Sequence, residues 1–227
     1  MFLPLDERET PAAIDPGAGT LAWESFAALD RLIGCRMDFF CYHRDRAGSL
    51  PLRQALLEEH WSYMDRFEEQ MIARGPVFEE EGDDAGLLGS VHIATFSDAA
   101  AARTFAFEEP GYQAGAYRDV MLRRWRNDLG RTMWEFPGGR PDGDGYVVVG
   151  LGVTAPVAQA VGPADAGGLV GGLIAYGPLL SDDGRTWVGT AALLRAPDRD
   201  TARAVLGGDA GRYTEIEVHS WEFGGRR

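Results

Sequence analysis

The spacing of hydrophobic and polar residues in the first half of the chain changes between strand-like and helix-like periods. Residues 37–43 are short and aromatic, which is typical of a β-strand. From about residue 52 to residue 74, apolar residues recur on one helical face, so the pattern predicts a long helix that ends at Gly75-Pro76. Residues 89–96 then alternate like a half-buried strand.

A second helix and another strand complete this half. Ser97-Asp98 is a helix N-cap signal for the alanine-rich residues 99–107. Residues 108–112 break that helix, residues 117–125 predict a strand, and there is room for a short strand at 77–78. This order is that of a ferredoxin-like α+β unit, in which helices cover one face of an antiparallel sheet.

The second half repeats landmarks of the first at an offset of about one hundred residues. The matched pairs are residues 73–76 with 175–178, Gly89 with Gly189, residues 97–103 with 197–203, and the strand ending at Trp125 with residues 213–221. Because the pairs occur in the same order at nearly constant spacing, we predict tandem copies of one unit.

Four segments follow from this repeat. Residues 1–34 are a polar, proline-containing leader with an amphipathic helix around Trp23, and residues 35–127 form the first unit. Residues 128–145 are a linker whose glycines and prolines suit an exposed connection. Residues 146–227 form the second unit.

Composition and charge narrow the class of protein. The chain has 227 residues, of which 45% are hydrophobic and 25% charged, so it can bury a core of its own. A net charge of −13 repels polyphosphates and anionic headgroups, so we expect neither a nucleic-acid nor a membrane partner. The two cysteines, Cys35 and Cys41, are too few for a disulfide framework, and the N-terminus lacks the pattern of a signal peptide. We therefore expect a cytoplasmic protein.

Histidine is the side chain best suited to proton transfer at neutral pH, and the chain has four. His43, at the end of the first strand, is expected to face solvent, and His92 and His219 are interpreted as packed or surface residues. His60 lies on the apolar face of the predicted long helix, so it should point to the core or to a pocket. On this pattern alone, a structural role and a catalytic role for His60 both remain open.

An ordered set of short motifs surrounds His60. The set is Ser49-Leu50, Arg53, His60, Gly75-Pro76, Gly89-Ser90, Asp98 and Glu109-Pro110-Gly111-Tyr112. With this set, residues 37–126 resemble the YCII (YciI-like) family, and residues 146–223 resemble a second, degenerate copy. The resemblance implies a dimeric α+β barrel, formed here by the two halves of one chain. It also implies a pocket with a histidine, matched by His60, and an aspartate, whose place Glu109 takes.

The chain departs from that family in two ways. Family members usually have Asp-Pro followed directly by an aromatic residue, whereas Gly111 is inserted here before Tyr112, so Glu108 competes with Glu109 for the role of the acid. In the second half, residues 154–163 occupy the helix expected to carry the histidine and contain none. We therefore expect one active pocket per chain.

The function implied by the resemblance is that of a lyase or isomerase that needs no cofactor. It would abstract a proton or eliminate a group, as the family's dehydrochlorinase does, from a hydroxylated metabolite of aromatic or polyketide-like type in secondary metabolism. His60 would be the general base and Glu109 would orient it. Arg53 would hold an acidic or phenolate group, and Tyr42 and Tyr112 would form pocket walls. Two alternatives stay open: a small-molecule-binding protein without catalysis, and a cofactor-free oxygenase.

We expect neither a cofactor nor a metal. Residues 147–155 fit G-x-G-x-x-A after a strand, the dinucleotide fingerprint. However, no acidic residue follows at the required distance, and Pro156 and Pro163 shorten any helix there. No histidine, cysteine or carboxylate spacing fits a metal site. The expected partner is a small-molecule substrate, and a homodimer remains open.

Overall fold

The computed structural model describes residues 36–79, 86–139, 145–160, 162–163, 168–207 and 210–225. The predicted leader helix around Trp23 lies outside these residues. Residues 36–227 belong to one compact unit. Within the described part of the chain, no helix has the length and apolar character needed to cross a lipid bilayer.

The described chain contains eight strands and five short α-helices. The strands are β1 (Met37–Asp45), β2 (Met71–Phe78), β3 (Leu87–Phe96), β4 (Tyr117–Trp125), β5 (Gly145–Pro156), β6 (Leu173–Leu180), β7 (Thr186–Arg195) and β8 (Tyr213–Trp221). The helices are α1 (Leu50–Ala55), α2 (Leu57–Asp65), α3 (Ala99–Phe107), α4 (Pro110–Gln113) and α5 (Arg199–Arg203).

The strands form an antiparallel sheet that closes into a barrel in the order β1-β3-β2-β8-β5-β7-β6-β4. Adding four to the number of each strand in the first half reproduces the same cyclic order. Two short seams join the halves: Val77 pairs with Trp221 between β2 and β8, and Trp125 pairs with Leu179 between β4 and β6. The predicted antiparallel α+β fold is thus confirmed.

Alternate residues of each strand serve two apolar layers. Phe40 and Tyr42 of β1 belong to the cluster that fills the barrel, which also contains residues of the second half such as Val147 and Leu193. Phe39 and Cys41 belong instead to a cluster beneath the helices of the first half. Because successive side chains in a strand point to opposite faces, β1 separates the barrel interior from a second layer where the helices pack.

The long helix predicted over residues 52–74 does not exist. Helices α1 and α2 are followed by a single 3-10 turn, Glu68–Gln70, and the chain then enters β2. Residues 71–73 are buried in β2, which pairs with β3 along its length. A run of apolar residues fits a buried strand as well as a helix, and the partner strand decides between them. Gly75-Pro76 therefore lies inside a strand, and the predicted short strand at 77–78 is its end.

The segment predicted as an exposed linker contributes to the core. Residues Met133–Glu135 form a 3-10 helix, closed at its start by reciprocal hydrogen bonds between Thr132 and Glu135. Met133 and Phe136 are buried in the cluster that fills the barrel. The prediction of an exposed connection is therefore wrong for these residues, because their apolar side chains pack into a cluster that composition does not reveal.

The dinucleotide-like segment of the second half is extended. Strand β5 continues through Pro156, and only a three-residue 3-10 helix, Val157–Gln159, follows it. The helix predicted over residues 154–163 is thus absent from the described residues of that segment. The segment lacks the helix N-terminus that binds pyrophosphate in dinucleotide folds.

Candidate active site

Glu109 owes its position to the break between two helices. Helix α3 begins at Asp98, whose carboxylate accepts a hydrogen bond from the Ala101 N–H, and it ends at Glu108, which is exposed. Glu109 then caps the start of α4, where Pro110 suits the first helical position. Its side chain is 0% exposed, and Oε2 accepts a hydrogen bond of 2.8 Å from the Tyr112 N–H. The structure therefore turns Glu109 inward, and Glu108 outward.

His60 of α2 meets this carboxylate. The distance between His60 Nδ1 and Glu109 Oε1 is 2.7 Å, and the His60 side chain is 15% exposed. Burial alone would raise the pKa of Glu109, but the hydrogen bond and positive charge of His60 outweigh it and lower that pKa to about 2. The ionised carboxylate accepts the Nδ1 proton, which leaves the lone pair of the neutral imidazole on Nε2.

The glycine inserted before Tyr112 has a steric explanation. A Cβ atom at Gly111 would lie 2.7 Å from the Tyr117 hydroxyl and 3.0 Å from Glu109 Oε2. Burial keeps the pKa of Tyr117 above its usual range, so this hydroxyl stays protonated beside the carboxylate. Glycine is therefore the residue that lets the loop close over Glu109 and Tyr117 together.

Arg53 of α1 is held by the first half of the barrel. Its guanidinium donates hydrogen bonds of 2.8 Å to Asp45 Oδ1 and of 2.8 Å to Ser90 Oγ. It also lies over the Tyr117 ring, with 5.5 Å between the guanidinium carbon and the ring centre. Burial raises the pKa of Asp45, while the charge of Arg53 opposes that shift. Arg53 is thus a fixed positive charge beside the His60–Glu109 pair.

His60 and Arg53 both line a cavity of about 820 Å³. Helices α1 and α2 form one side, strands β2 and β3 the other, and residues 223–225 close one end. The polar wall residues are Arg53, His60, Arg74, Ser90 and His92. Most of the remaining wall is apolar, with Trp61, Met64, Phe78 and Phe223 among its larger side chains. A cavity of this size with few polar groups is typical of a small-molecule site.

Two residues predicted as pocket walls lie elsewhere. Tyr42 is buried in the cluster that fills the barrel, on the face of β1 opposite to Cys41 and His43. Tyr112 is 39% exposed and packs on the Phe107 ring, with 5.0 Å between ring centres. Neither borders the cavity. Tyr42 was misplaced because side chains alternate between the two faces of a strand. The sequence shows this alternation but does not show which face the helices cover.

Two histidines of this region were not predicted to belong to the site. His43 is buried, against expectation, and its Nε2 lies 2.8 Å from the Ala106 carbonyl oxygen, to which it donates. His92 is 3% exposed and borders the cavity, with 5.8 Å between its ring centre and that of His60. Alternation along β3 does place Ser90 and His92 on one face, so this signal was available. The sequence did not show that helices cover this face of β3.

Residues 37–126 match the YCII-related domain. Over 95 residues the chain is 28% identical to an uncharacterized protein of Haemophilus influenzae. The aligned region covers 40% of this chain and 97% of that protein.

Two solved structures are also similar to the chain. One is 5-chloro-2-hydroxyhydroquinone dehydrochlorinase (TftG) of Burkholderia phenoliruptrix in complex with 2,5-dihydroxybenzoquinone. The sequence identity is 23% and the TM-score is 0.39, and the superposition covers 42% of this chain and 99% of that chain. The other is an anthrone oxidase-like protein with 14% sequence identity and a TM-score of 0.47, and the superposition covers 85% of this chain and 92% of that chain.

The described residues of the second half show no counterpart of the polar site found in residues 37–126. In the strand register, Ala192 of β7 faces Tyr176 of β6, as His92 of β3 faces Arg74 of β2. Gly150 stands where His43 stands in β1, and a Cβ atom there would lie 2.6 Å from the Tyr213 ring. An aromatic and a small apolar side chain thus stand where Arg74 and His92 stand in the first half, and the Tyr213 ring leaves no room for a side chain at position 150.

The described residues hold no group of three or more His, Cys, Asp or Glu side chains that could bind a metal ion.

Proposed function

We propose that the protein is a small-molecule lyase or isomerase in which His60 is the general base and Glu109 orients it. The observation that carries this proposal is the 2.7 Å hydrogen bond from Nδ1 of His60, which lines the cavity, to the fully buried carboxylate of Glu109 behind it. A carboxylate that fixes the tautomer of a histidine is a recurrent device for proton transfer.

The chemistry follows from that tautomer. His60 Nε2 accepts a proton from the substrate, the C–H or O–H bond breaks, and its electron pair moves onto the neighbouring carbonyl or ring. Glu109 stabilises the imidazolium that forms. In an isomerisation His60 returns the proton to another carbon, and in an elimination the electron pair expels the leaving group. A positioned base contributes about 10²–10⁴-fold to such a step.

The cavity suits a hydroxylated substrate of aromatic or polyketide-like type. Its apolar wall accommodates a planar carbon skeleton, and its polar groups border the cavity both from the helices (Arg53 and His60) and from the strands opposite (Arg74, Ser90 and His92). Arg53 supplies positive charge for an acidic or phenolic oxygen. The ligand seen in the dehydrochlorinase, 2,5-dihydroxybenzoquinone, is a suitable first probe for this class.

We also propose that the two halves are tandem copies of one ferredoxin-like unit, with the second copy as a structural partner. The strand order supports this, since it repeats after four strands. Asp98 and Asp198 cap equivalent helices by accepting the N–H three residues ahead. At the two seams, Gly75 and Gly177 are approached by the carbonyl oxygens of Glu222 and Arg126.

The first test compares two histidine–carboxylate pairs. His219 Nε2 lies 3.6 Å from Glu217 Oε2, and neither residue borders the cavity, so His219→Asn is a matched control for His60→Asn. With 5-chloro-2-hydroxyhydroquinone or 2,5-dihydroxybenzoquinone as substrate, we measure chloride release and ring-proton exchange in D₂O. We expect His60→Asn to lower kcat by about 10²–10⁴-fold and His219→Asn to leave it unchanged. A full rate in His60→Asn contradicts the proposal.

A second test needs no substrate. Long-range ¹H–¹⁵N spectra of the histidine rings report which nitrogen carries the proton, and we expect Nδ1 for neutral His60 in the wild type. Glu109→Gln should weaken that preference because the anionic acceptor is gone. Protonation of His60 on Nε2 in the wild type contradicts the proposal. The expected tautomer, with probes bound but unchanged over hours, favours the binding-protein alternative.

A further inference from the structure

His92 is a buried imidazole with no part in the proton transfer from the substrate to His60. It projects from β3 on the same face as Ser90, and in the strand register it stands between Cys41 of β1 and Arg74 of β2. It is 3% exposed and borders the cavity beside His60, with 5.8 Å between the two ring centres. One small ligand can therefore touch both rings.

The burial of one ring nitrogen decides the tautomer of His92. Nδ1 is sealed from solvent and has no hydrogen-bond partner among the described residues. A buried N–H without an acceptor is among the rarest arrangements in proteins, and a buried lone pair without a donor is tolerated more readily. A neutral imidazole carries a single proton, which therefore resides on Nε2, the nitrogen that His92 can offer to the cavity.

The surroundings of His92 also keep it uncharged. Burial lowers the pKa of His92, and the positive charges of His60, His43, Arg53 and Arg74 lower it further. The ring is thus a hydrogen-bond donor without a net charge and without an acidic partner to compete for its proton.

We propose that His92 is a second catalytic residue, whose Nε2–H donates a hydrogen bond to the substrate oxygen that becomes negative when His60 removes a proton. This inference rests on the proposed function of His60. The C–H bond breaks, its proton goes to His60 Nε2, and its electron pair becomes the new C=C bond as the carbonyl π pair moves to oxygen. His92 keeps its own proton throughout. A neutral histidine can polarise a carbonyl in this way.

The inference narrows the substrate class. The reacting carbon must be a saturated carbon next to a carbonyl group, as in the keto form of a polyhydroxylated ring or in a polyketide-like ketone. The carbonyl oxygen faces His92 and the acidic C–H faces His60. The positive charges of Arg53 and Arg74, on opposite sides of the cavity, favour the enolate that forms.

The decisive test is the tautomer of His92 in the ligand-free protein. In the same ¹H–¹⁵N spectra we expect opposite tautomers, with the proton of His60 on Nδ1 and that of His92 on Nε2. His92→Gln assigns the signal by its disappearance. A His92 ring protonated on Nδ1, or on both nitrogens at pH 7, overturns this inference. Since the two rings are read separately, failure at His60 overturns the proposed function and failure at His92 alone overturns only the second role.

A binding experiment tests the donor itself. We measure calorimetrically the Kd of 2,5-dihydroxybenzoquinone, which presents enolate and carbonyl oxygens, for the wild type, His92→Leu and His92→Gln. Leucine removes the donor and glutamine retains an N–H donor, so we expect Kd to rise about tenfold or more in His92→Leu and much less in His92→Gln. In turnover, loss of such a donor should lower kcat by about 10²–10³-fold.

Two results of this experiment overturn the inference. One is a wild-type Kd in His92→Leu, and the other is a wild-type protein that does not bind the probe. If His92→Leu does not fold, His92→Gln still tests the inference, because a tenfold weaker binding there, with the donor retained, would contradict it.

Discussion

The four histidines differ in burial and in their hydrogen-bond partners, and these differences give them different properties. His60 pairs with a buried carboxylate, and His219 lies near Glu217 on the other half of the barrel. His43 donates through Nε2 to the Ala106 carbonyl, and the Cys41 sulfur lies 3.6 Å from its Nδ1. Burial raises the pKa of the Cys41 thiol and lowers the pKa of His43 to about 4, so this contact joins two neutral groups.

At the scale of single residues, we predict that His43 makes stability depend on pH between about 6.5 and 4. The pKa of His43 is lowered from 6.5 to about 4 by burial, so the unfolded state takes up a proton first as the pH falls. The free energy of unfolding should therefore decrease as the pH falls through this window, by an amount on the order of 3 kcal/mol. Buried His92 acts in the same direction.

Urea unfolding at pH 7, 5.5 and 4.5 measures this effect, and His43→Gln should show a shallower decrease than the wild type. Glu109 acts in a different window. Its pKa is lowered from 4.5 to about 2, so the stability that it contributes is complete above pH 4.5 and is lost only below it. The same pH slope in His43→Gln as in the wild type would show that His43 is not the group responsible.

Short elements, rather than long ones, position the candidate site. Helix α4 is four residues long, yet it places Glu109 at its N-cap and brings the Tyr112 N–H to the carboxylate. Such an element has little stability of its own, because a helix this short gains few backbone hydrogen bonds. Its geometry depends on what surrounds it, and at Gly111 the surroundings leave no room for a Cβ atom without a shift.

At the scale of this element, we predict that Gly111→Ala displaces Glu109 from His60. The added Cβ would lie 2.7 Å from the Tyr117 hydroxyl and 3.0 Å from Glu109 Oε2, so one of them must move. We expect a loss of about 1–3 kcal/mol in the free energy of unfolding, together with loss of the Nδ1 preference of His60. Urea unfolding and the ring ¹⁵N spectra measure the two effects.

Gly171→Ala is the matched control for this substitution. Nothing lies within 4 Å of a Cβ atom at Gly171, so this variant should keep both the stability and the His60 tautomer of the wild type. If Gly111→Ala behaves like Gly171→Ala, the loop has more freedom than the steric argument allows.

At the scale of the whole molecule, two seams close the barrel. At one, a Cβ atom at Gly75 would overlap the carbonyl oxygen of Glu222, and at the other, a Cβ atom at Gly177 would overlap that of Arg126. Only the first seam borders the cavity, through Gly75 and residues 223–225. The two seams are therefore similar in packing and different in their relation to the candidate site.

We predict that Gly75→Ala and Gly177→Ala both destabilise the barrel, and that only Gly75→Ala also weakens binding of 2,5-dihydroxybenzoquinone. Each alanine forces two strands apart, which should lower the free energy of unfolding by about 1–3 kcal/mol or more. Thermal unfolding gives the first effect and calorimetry the second. Equal weakening of binding in both variants would mean that the barrel as a whole, and not the neighbouring seam, determines the cavity.

Local sequence patterns correctly predicted those elements that depend only on interactions between residues close in sequence. The alternation of residues 89–96 became β3, and Asp98 capped the alanine-rich helix, because pleating and capping need only near neighbours in sequence. The sequence likewise predicted helical structure at His60, although not the length of the helix, and the break before Pro110. Their meeting at 2.7 Å was suggested by family resemblance and could not come from periodicity alone.

What only the tertiary structure decided depends on partners that are distant in sequence. Residues 71–78 became a strand because β3 and β8 pair with them, and Met133 and Phe136 are in the core because they pack into the apolar cluster that both halves form. His92 borders the cavity because the helices cover the face of β3 that carries it. Tyr42 does not, because it lies on the other face of the sheet, in the cluster that fills the barrel. Sequence by itself determined the period of each strand. Long-range packing decided which face became the candidate site, because burial is a property of the assembled sheet.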